Sequence, residues 1–298
     1  MGAELEHLVS IDTGIGNFVQ LPMSHLQCAI MPVIVVRQHT VTCVGTAFSV
    51  APGGILLTAR HVMDEAYRIC NEEPGGRISV IFRKSGVGYD VPDLLGGEVP
   101  IGLVQVNEAH DVALIQLCEL VNEHGEPMVY PAIGLDKRTP TVGRKILAMG
   151  YTKMEIRDHE VSRAEIRVTV KESFHAADGD VVKVYPKGRD QVMLPFPVFQ
   201  TTARFDPGMS GGPVLSGDNG MACGIVCSGV TGRGDQGEYT SFASMTINAL
   251  GLHVSTSIED PAPRYLLDYI GPGGVLADDT AGRIRIFQAS SGDFRMEF

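Results

Sequence analysis

Residues 208–213 read Gly208-Met209-Ser210-Gly211-Gly212-Pro213, a single serine among residues small enough for the chain to turn sharply around it. Such a turn can aim two backbone N–H groups at one point, where an oxyanion forms if the serine hydroxyl attacks a carbonyl. A serine used in this way needs a base to take its proton and a carboxylate to orient that base. Both have candidates upstream. His61 lies in Leu57-Thr58-Ala59-Arg60-His61-Val62, after an apolar run, and Asp111 lies in His110-Asp111-Val112-Ala113-Leu114-Ile115, at the head of another. The order is histidine, aspartate, serine, with gaps of 111 − 61 = 50 and 210 − 111 = 99 residues.

A lone Gly-x-Ser-x-Gly carries little weight, because α/β-hydrolases share it. Here three motifs fall in one order, and together they resemble the trypsin-like serine peptidases, in the style of HtrA-type and stand-alone bacterial members. A fourth segment follows: Gly224-Ile225-Val226-Cys227-Ser228-Gly229 is similar to the family strand that pairs with the substrate backbone. Gly237-Glu238-Tyr239-Thr240 is similar to the segment closing the back of the primary specificity pocket. The resemblance covers roughly residues 30 to 250.

It implies a nucleophile at Ser210, a general base at His61, an orienting carboxylate at Asp111, and an oxyanion hole from the N–H groups of Gly208 and Ser210. Arg204 falls where digestive members place the residue at the bottom of the pocket, and a guanidinium there favours an acidic side chain before the cut. In HtrA-type members the residue at Phe205 lines the pocket instead, which leaves room for small apolar side chains. Both alternatives stand, and Gly229 and Gly237 are expected to keep the walls open under either. Two positions depart from the digestive pattern. Cys227 replaces a serine that bonds the catalytic aspartate, and a thiol is a weaker donor, so Asp111 is expected to lean on backbone N–H groups. Met209 replaces the aspartate that receives a new N-terminal ammonium on zymogen activation. The 205–210 loop must then be ordered by its own packing or by a regulatory partner, and a flexible methionine in a Gly- and Pro-rich loop favours the partner.

Composition sets wider limits. The 298 residues carry 24 basic and 35 acidic side chains, for a net charge of −11, which argues against a nucleic-acid partner. The start, Met1-Gly2-Ala3-Glu4-Leu5-Glu6, has acids where a secretory signal has bases, and the longest apolar run, 29–36, is interrupted by Pro32. No membrane partner and a cytoplasmic location are therefore expected. The six cysteines (Cys28, Cys43, Cys70, Cys118, Cys223, Cys227) contain no CxxC pair and read as reduced thiols. No metal and no cofactor is expected; the expected partner is a protein or peptide substrate.

Glycine makes up about 12% of the chain, above the usual ~7%, as many short strands with tight turns require. β-type runs recur at roughly 28–38, 41–50, 54–58, 77–83, 98–107 and 111–118, then 143–151, 161–171, 180–186, 191–201, 213–216, 221–230 and 237–243. The fold class expected is all-β: two antiparallel six-stranded β-barrels of the chymotrypsin-like kind, with the active site between them and a C-terminal extension. The division expected is a leader (1–27), an N-terminal barrel (28–130) with His61 and Asp111, a C-terminal barrel (131–250) with Ser210, and the extension (251–298). Short helices are expected at 62–70, near 243–250 and at 263–270, and a hairpin at the C-terminus. An α/β-hydrolase needs a helix directly after Ser210 and a histidine downstream of it; Pro213 and the β-type run 221–230 speak against that. The rival from another class is a catalytically silent binding scaffold. Such chains have usually lost a triad residue, and this one has all three.

Overall fold

The computed structural model describes residues 9–12, 17–20, 28–37, 40–72, 74–83, 96–107, 109–121, 125, 127–136, 138–161, 166–231, 239–254, 264–269, 285–288 and 294–297. It opens with a hairpin of β1 (Val9–Asp12) and β2 (Asn17–Gln20). Six antiparallel strands then close a first barrel: β3 (Ile30–Val36), β4 (Val41–Ala51), β5 (Ile55–Thr58), β6 (Arg77–Arg83), β7 (Gly96–Asn107) and β8 (Val112–Leu117), in the order β3-β4-β5-β8-β7-β6. Six more form the second: β9 (Lys145–Val161), β10 (Ile166–Tyr185), β11 (Val198–Thr201), β12 (Pro213–Ser216), β13 (Ala222–Thr231) and β14 (Tyr239–Met245). Their neighbour order is β10-β11-β14-β13-β12-β9, and the β9–β10 pairing completes the ring. The expected two-barrel, all-β architecture is the one observed.

Strand periodicity shows why these runs become barrel walls. In β3, Val33 and Val35 join the main apolar cluster while Ile34 and Val36 join a second one with Val41, the period-2 alternation of a strand covered on both faces. The main cluster does not stop at the first barrel. It runs through Met149, Tyr151, Phe174, Leu215 and Ile225 of the second. Tyr151 is fully buried, and its hydroxyl donates to the Ile30 carbonyl across the barrels at 3.1 Å. One shared core therefore holds the two halves of the site in register.

Three expectations change. Residues 166–171 and 180–185, which fall in two separate runs, are one strand, β10, because Gly179 between them lies in the ladder opposite Ile146, where a Cβ would strike the Ala203 backbone. The segment treated as a leader adds its hairpin to the second sheet, with Gln20, Val19 and Phe18 opposite His175, Ala176 and Ala177. The helix expected near 243–250 is a strand to Met245 followed by a single 3-10 turn, Thr246–Ala249. Beyond it, β15 (His253–Val254) pairs with β16 (Arg264–Tyr265), and the helical turn Leu266–Tyr269 buries Leu266 in the main core. The terminal hairpin is formed by β17 (Arg285–Gln288) and β18 (Phe294–Glu297).

Candidate active site

His61 stands on the first turn of α1 (Arg60–Cys70). Val62, Met63, Ala66 and Ile69, spaced i, i+1, i+4 and i+7, bury one face of this helix against the first barrel, while Arg68 pairs with Glu65 and Glu72 on the other. Asp111 immediately precedes β8, whose Val112–Ile115 are fully buried. β5 and β8 are neighbours, with Thr58 opposite Ala113, so the residues leaving β5 meet those entering β8. That register brings the two side chains together.

His61 Nδ1 lies 2.8 Å from Asp111 Oδ2, and the His61 backbone N–H donates to Oδ1 at 2.9 Å. The Cys227 thiol donates to Oδ2 at 2.9 Å. The aspartate thus uses both the backbone N–H expected to hold it and the thiol expected to be marginal. Its side chain is 10% exposed against 45% for the imidazole. Burial works against the imidazolium, but its hydrogen bond to Asp111, the charge of Asp111 and that of Asp64 outweigh it and raise the His61 pKa. Burial also opposes ionisation of Asp111, and is outweighed by the bond and charge of His61, with Cys227 and the backbone N–H adding to it, so that carboxyl is held below its ordinary value. Burial first, then the charge of Asp111, pushes the Cys227 thiol well up, which keeps the proton on sulfur and available to donate. His110 makes a different contact, with Nδ1 3.3 Å from Asn107 Oδ1.

The serine loop is shaped by two left-handed glycines. Gly208 has φ +98°, and a Cβ there would lie 2.6 Å from the Tyr151 carbonyl; Gly211 has φ +85°, and a Cβ there would collide with the Thr46 carbonyl and the Thr58 hydroxyl. The Gly212 N–H donates to the Met209 carbonyl at 2.9 Å. Since the C=O and N–H of a trans peptide point opposite ways, the Ser210 N–H is turned outward. Among the described residues, neither that N–H nor the one of Gly208 donates to a protein group. Ser210 is half-buried.

Met209 is not a flexible bystander. It is fully buried in the second-barrel core with Phe205, Val214 and Val226, and its sulfur accepts the Asp206 N–H at 3.5 Å. Arg204 forms a two-point pair with Asp206, Nε to Oδ1 at 2.7 Å and a terminal nitrogen to Oδ2 at 2.9 Å. Phe205 is 4% exposed within the same apolar cluster. At Gly229 a Cβ would collide with the Phe205 carbonyl, so glycine at this position lets these two segments approach closely. Gly237 lies outside the described residues. On β13, Ser228 and Gly229 pair with Phe242 and Ser241 of β14, while the β12 ladder ends at Pro213↔Ile225, leaving one edge of Cys227–Gly229 without a strand neighbour among the described residues.

Cys223 and Cys227 are four apart on β13. A bulge between Val226 and Ser228 separates them, and Cys223 donates to the Val214 carbonyl. None of the six cysteines forms a disulfide. Among the described residues no cluster of His, Cys, Asp or Glu has metal-binding geometry, and no helix is long and apolar enough to cross a membrane.

Sequence reasoning missed Thr46. It is fully buried in β4, yet its hydroxyl reaches both Gly208 and Tyr151.

Comparison with known proteins places these features in a family. Residues 45–225, more than half of the chain, match the model of the trypsin-like peptidase domain. The chain is 25% identical over 199 residues to the cercarial protease of Schistosoma mansoni, covering 60% of this chain and 70% of that protein. Among solved structures it is similar to the MamO protease domain of Magnetospirillum magneticum (17% identity, 74% of this chain, 94% of that chain, TM-score 0.43). It is similar also to neuropsin, a serine protease of mouse brain (16% identity, 76% of this chain, 92% of that chain, TM-score 0.46). By its family match and its two-barrel fold, the chain belongs to the trypsin-like peptidase family and is a serine protease.

Proposed function

We propose that the protein is an endopeptidase that cleaves peptide bonds through Ser210, His61 and Asp111 by way of an acyl-enzyme. His61 takes the Ser210 proton as Oγ bonds to the scissile carbonyl carbon, and Asp111 fixes the tautomer and stabilises the imidazolium. The N–H groups of Gly208 and Ser210 receive the oxyanion, each such donor being worth about 3 kcal/mol in comparable sites. His61 then gives its proton to the leaving amine as the C–N bond breaks, and water repeats the cycle to free Ser210. The observation that carries this reading is the buried Asp111 carboxylate bonded to His61 at both the ring and the backbone.

The substrate backbone adds along the open edge of Cys227–Gly229. Arg204 is already matched by Asp206, and Gly229 lies against Phe205, which together favour a small, uncharged side chain before the cut over an acidic one. Packing of Met209 and Phe205 supports a loop ordered without a partner, and six cysteines without a disulfide support work in a reducing compartment such as the cytoplasm. Cleavage profiling on a proteome-derived peptide library tests this. Cuts after Gly, Ala or Ser, absent with Ser210→Ala, are expected; cuts after Asp or Glu would refute the specificity, and no cuts at all would favour a silent scaffold.

A further inference from the structure

We propose that Thr46 is a positioning residue for the peptide-bond chemistry, its buried hydroxyl locking the 208–210 loop so that the Ser210 N–H faces the oxyanion; this rests on the peptidase reading above. Thr46 is fully buried, and each of its three polar groups has a partner, the hydroxyl having two. The N–H donates to the Ser210 carbonyl at 2.8 Å, and the carbonyl accepts the Thr58 hydroxyl at 2.7 Å. The hydroxyl donates to the Gly208 carbonyl at 2.8 Å and accepts the Tyr151 N–H at 3.1 Å. One side chain of the first barrel is thus bonded to β9 of the second and to the nucleophile loop.

The backbone makes this possible. Thr46 lies beyond the last β4–β5 pair on that side, Phe48↔Leu57, so its N–H and C=O are not used in that ladder. Gly45 beside it has no side chain, and a Cβ there would lie 2.9 Å from the Ser210 carbonyl. The loop can therefore press directly against β4.

The consequence follows from peptide planarity. The carbonyls of Gly208 and Ser210 are held by Thr46, and that of Met209 by Gly212. On the N–H side, Met209 donates to Asp206 and Gly211 to Val226, at 3.1 and 2.8 Å. Of the three successive N–H groups, only that of Ser210 donates to no described group, and it cannot rotate away without breaking a bond on either side. A threonine or serine hydroxyl can donate to Gly208 and accept from Tyr151 at once. Valine can do neither, and it would leave two buried groups to find partners by rotating the loop.

The test compares Thr46→Val, Thr46→Ser and wild type in kcat and KM for a peptide substrate and in affinity for a peptidyl boronate, which mimics the tetrahedral state. Thr46→Val should lose about 100-fold in kcat with KM moved less than about threefold, since displacing a reacting group by ~1 Å costs that much. Boronate affinity should fall by the same factor as kcat/KM, and Thr46→Ser should retain wild-type kcat within about threefold. Ser49→Ala removes a buried hydroxyl from the same strand, one that donates only to Ala51, and should leave kcat unchanged. If Thr46→Val does not fold, Thr46→Cys, a weak donor of similar volume, is judged by the same criterion. A folded Val or Cys variant with wild-type kcat overturns the proposal. A wild-type protein that neither turns over peptide nor binds boronate overturns the peptidase reading instead.

Discussion

Replacing Asp111 by Asn keeps the shape of the side chain and removes what the site uses. The carboxylate accepts three bonds, from the His61 N–H, from His61 Nδ1 and from the Cys227 thiol. An amide has one acceptor and one donor end. With its oxygen on the His61 N–H, its NH2 faces Nδ1 and forces the ring proton onto Nε2, the atom that must accept from Ser210. With the amide flipped, the backbone bond is lost instead. A wrong tautomer in a Ser-His-Asp site costs about 10⁴ in kcat, or about 5.4 kcal/mol at 1.36 kcal/mol per tenfold. The pH profile moves as well. Asp111 is what raises the His61 pKa against the opposing effect of burial, so in the variant burial dominates and that pKa falls below its ordinary value. Wild-type activity should rise with pH through a His61 limb above about pH 6.5, and the residual activity of the variant should rise at lower pH. Single-turnover rates from pH 5 to 9, with NMR titration of the ring, measure both. A kcat within tenfold of wild type, or an unmoved limb, would refute the reasoning.

Gly229→Ala puts a methyl group into the Phe205 backbone carbonyl, so the two segments must move apart; it should lower kcat/KM about tenfold on library peptides and lower Tm as well; unchanged kinetics would show that this contact does not shape the site. Met209→Asp buries a carboxylate in the apolar second-barrel cluster and should cost about 3 kcal/mol or more in urea unfolding, with turnover lost. Truncation to begin at Ile30 should not restore it, and restoration that depends on a free α-amino group would sink this account of the loop. Asp136 is buried; burial opposes its ionisation, but its bonds to Arg138 and Asn219 hold the carboxyl below its ordinary value. Its stabilising effect is then present above about pH 4 and lost as the pH falls through the depressed folded pKa. Asp136→Asn should therefore cost about 2 kcal/mol at pH 7 and much less near pH 2, by urea unfolding.

The serine turn was readable because its geometry demands small residues in sequence, and the histidine and aspartate segments because each abuts an apolar strand. The strands of the first barrel were readable to within a few residues for the same reason. β10 was not, since a glycine required for close approach to Ala203 looks identical to a turn glycine. The β1–β2 hairpin was missed because its place depends on docking against β10, with Gln20 opposite His175, which joins segments far apart in sequence. The close approach at Gly229 and the burial of Met209 depend on which segments meet in space, so Met209 read as part of a flexible loop. Thr46 is the clearest case. Its bonds span 105 and 162 residues, and a threonine in a strand that also carries Thr42 and Ser49 gives no sequence signal for them.

The central claim is that Ser210 is made nucleophilic by His61. A fluorophosphonate probe reacts with an activated serine hydroxyl and loses fluoride, so mapping the adduct by mass spectrometry tests the claim directly. The account predicts one adduct per chain, on Ser210, absent in Ser210→Ala and strongly reduced in His61→Ala. No adduct on the wild-type protein, or an adduct on another residue, would contradict it.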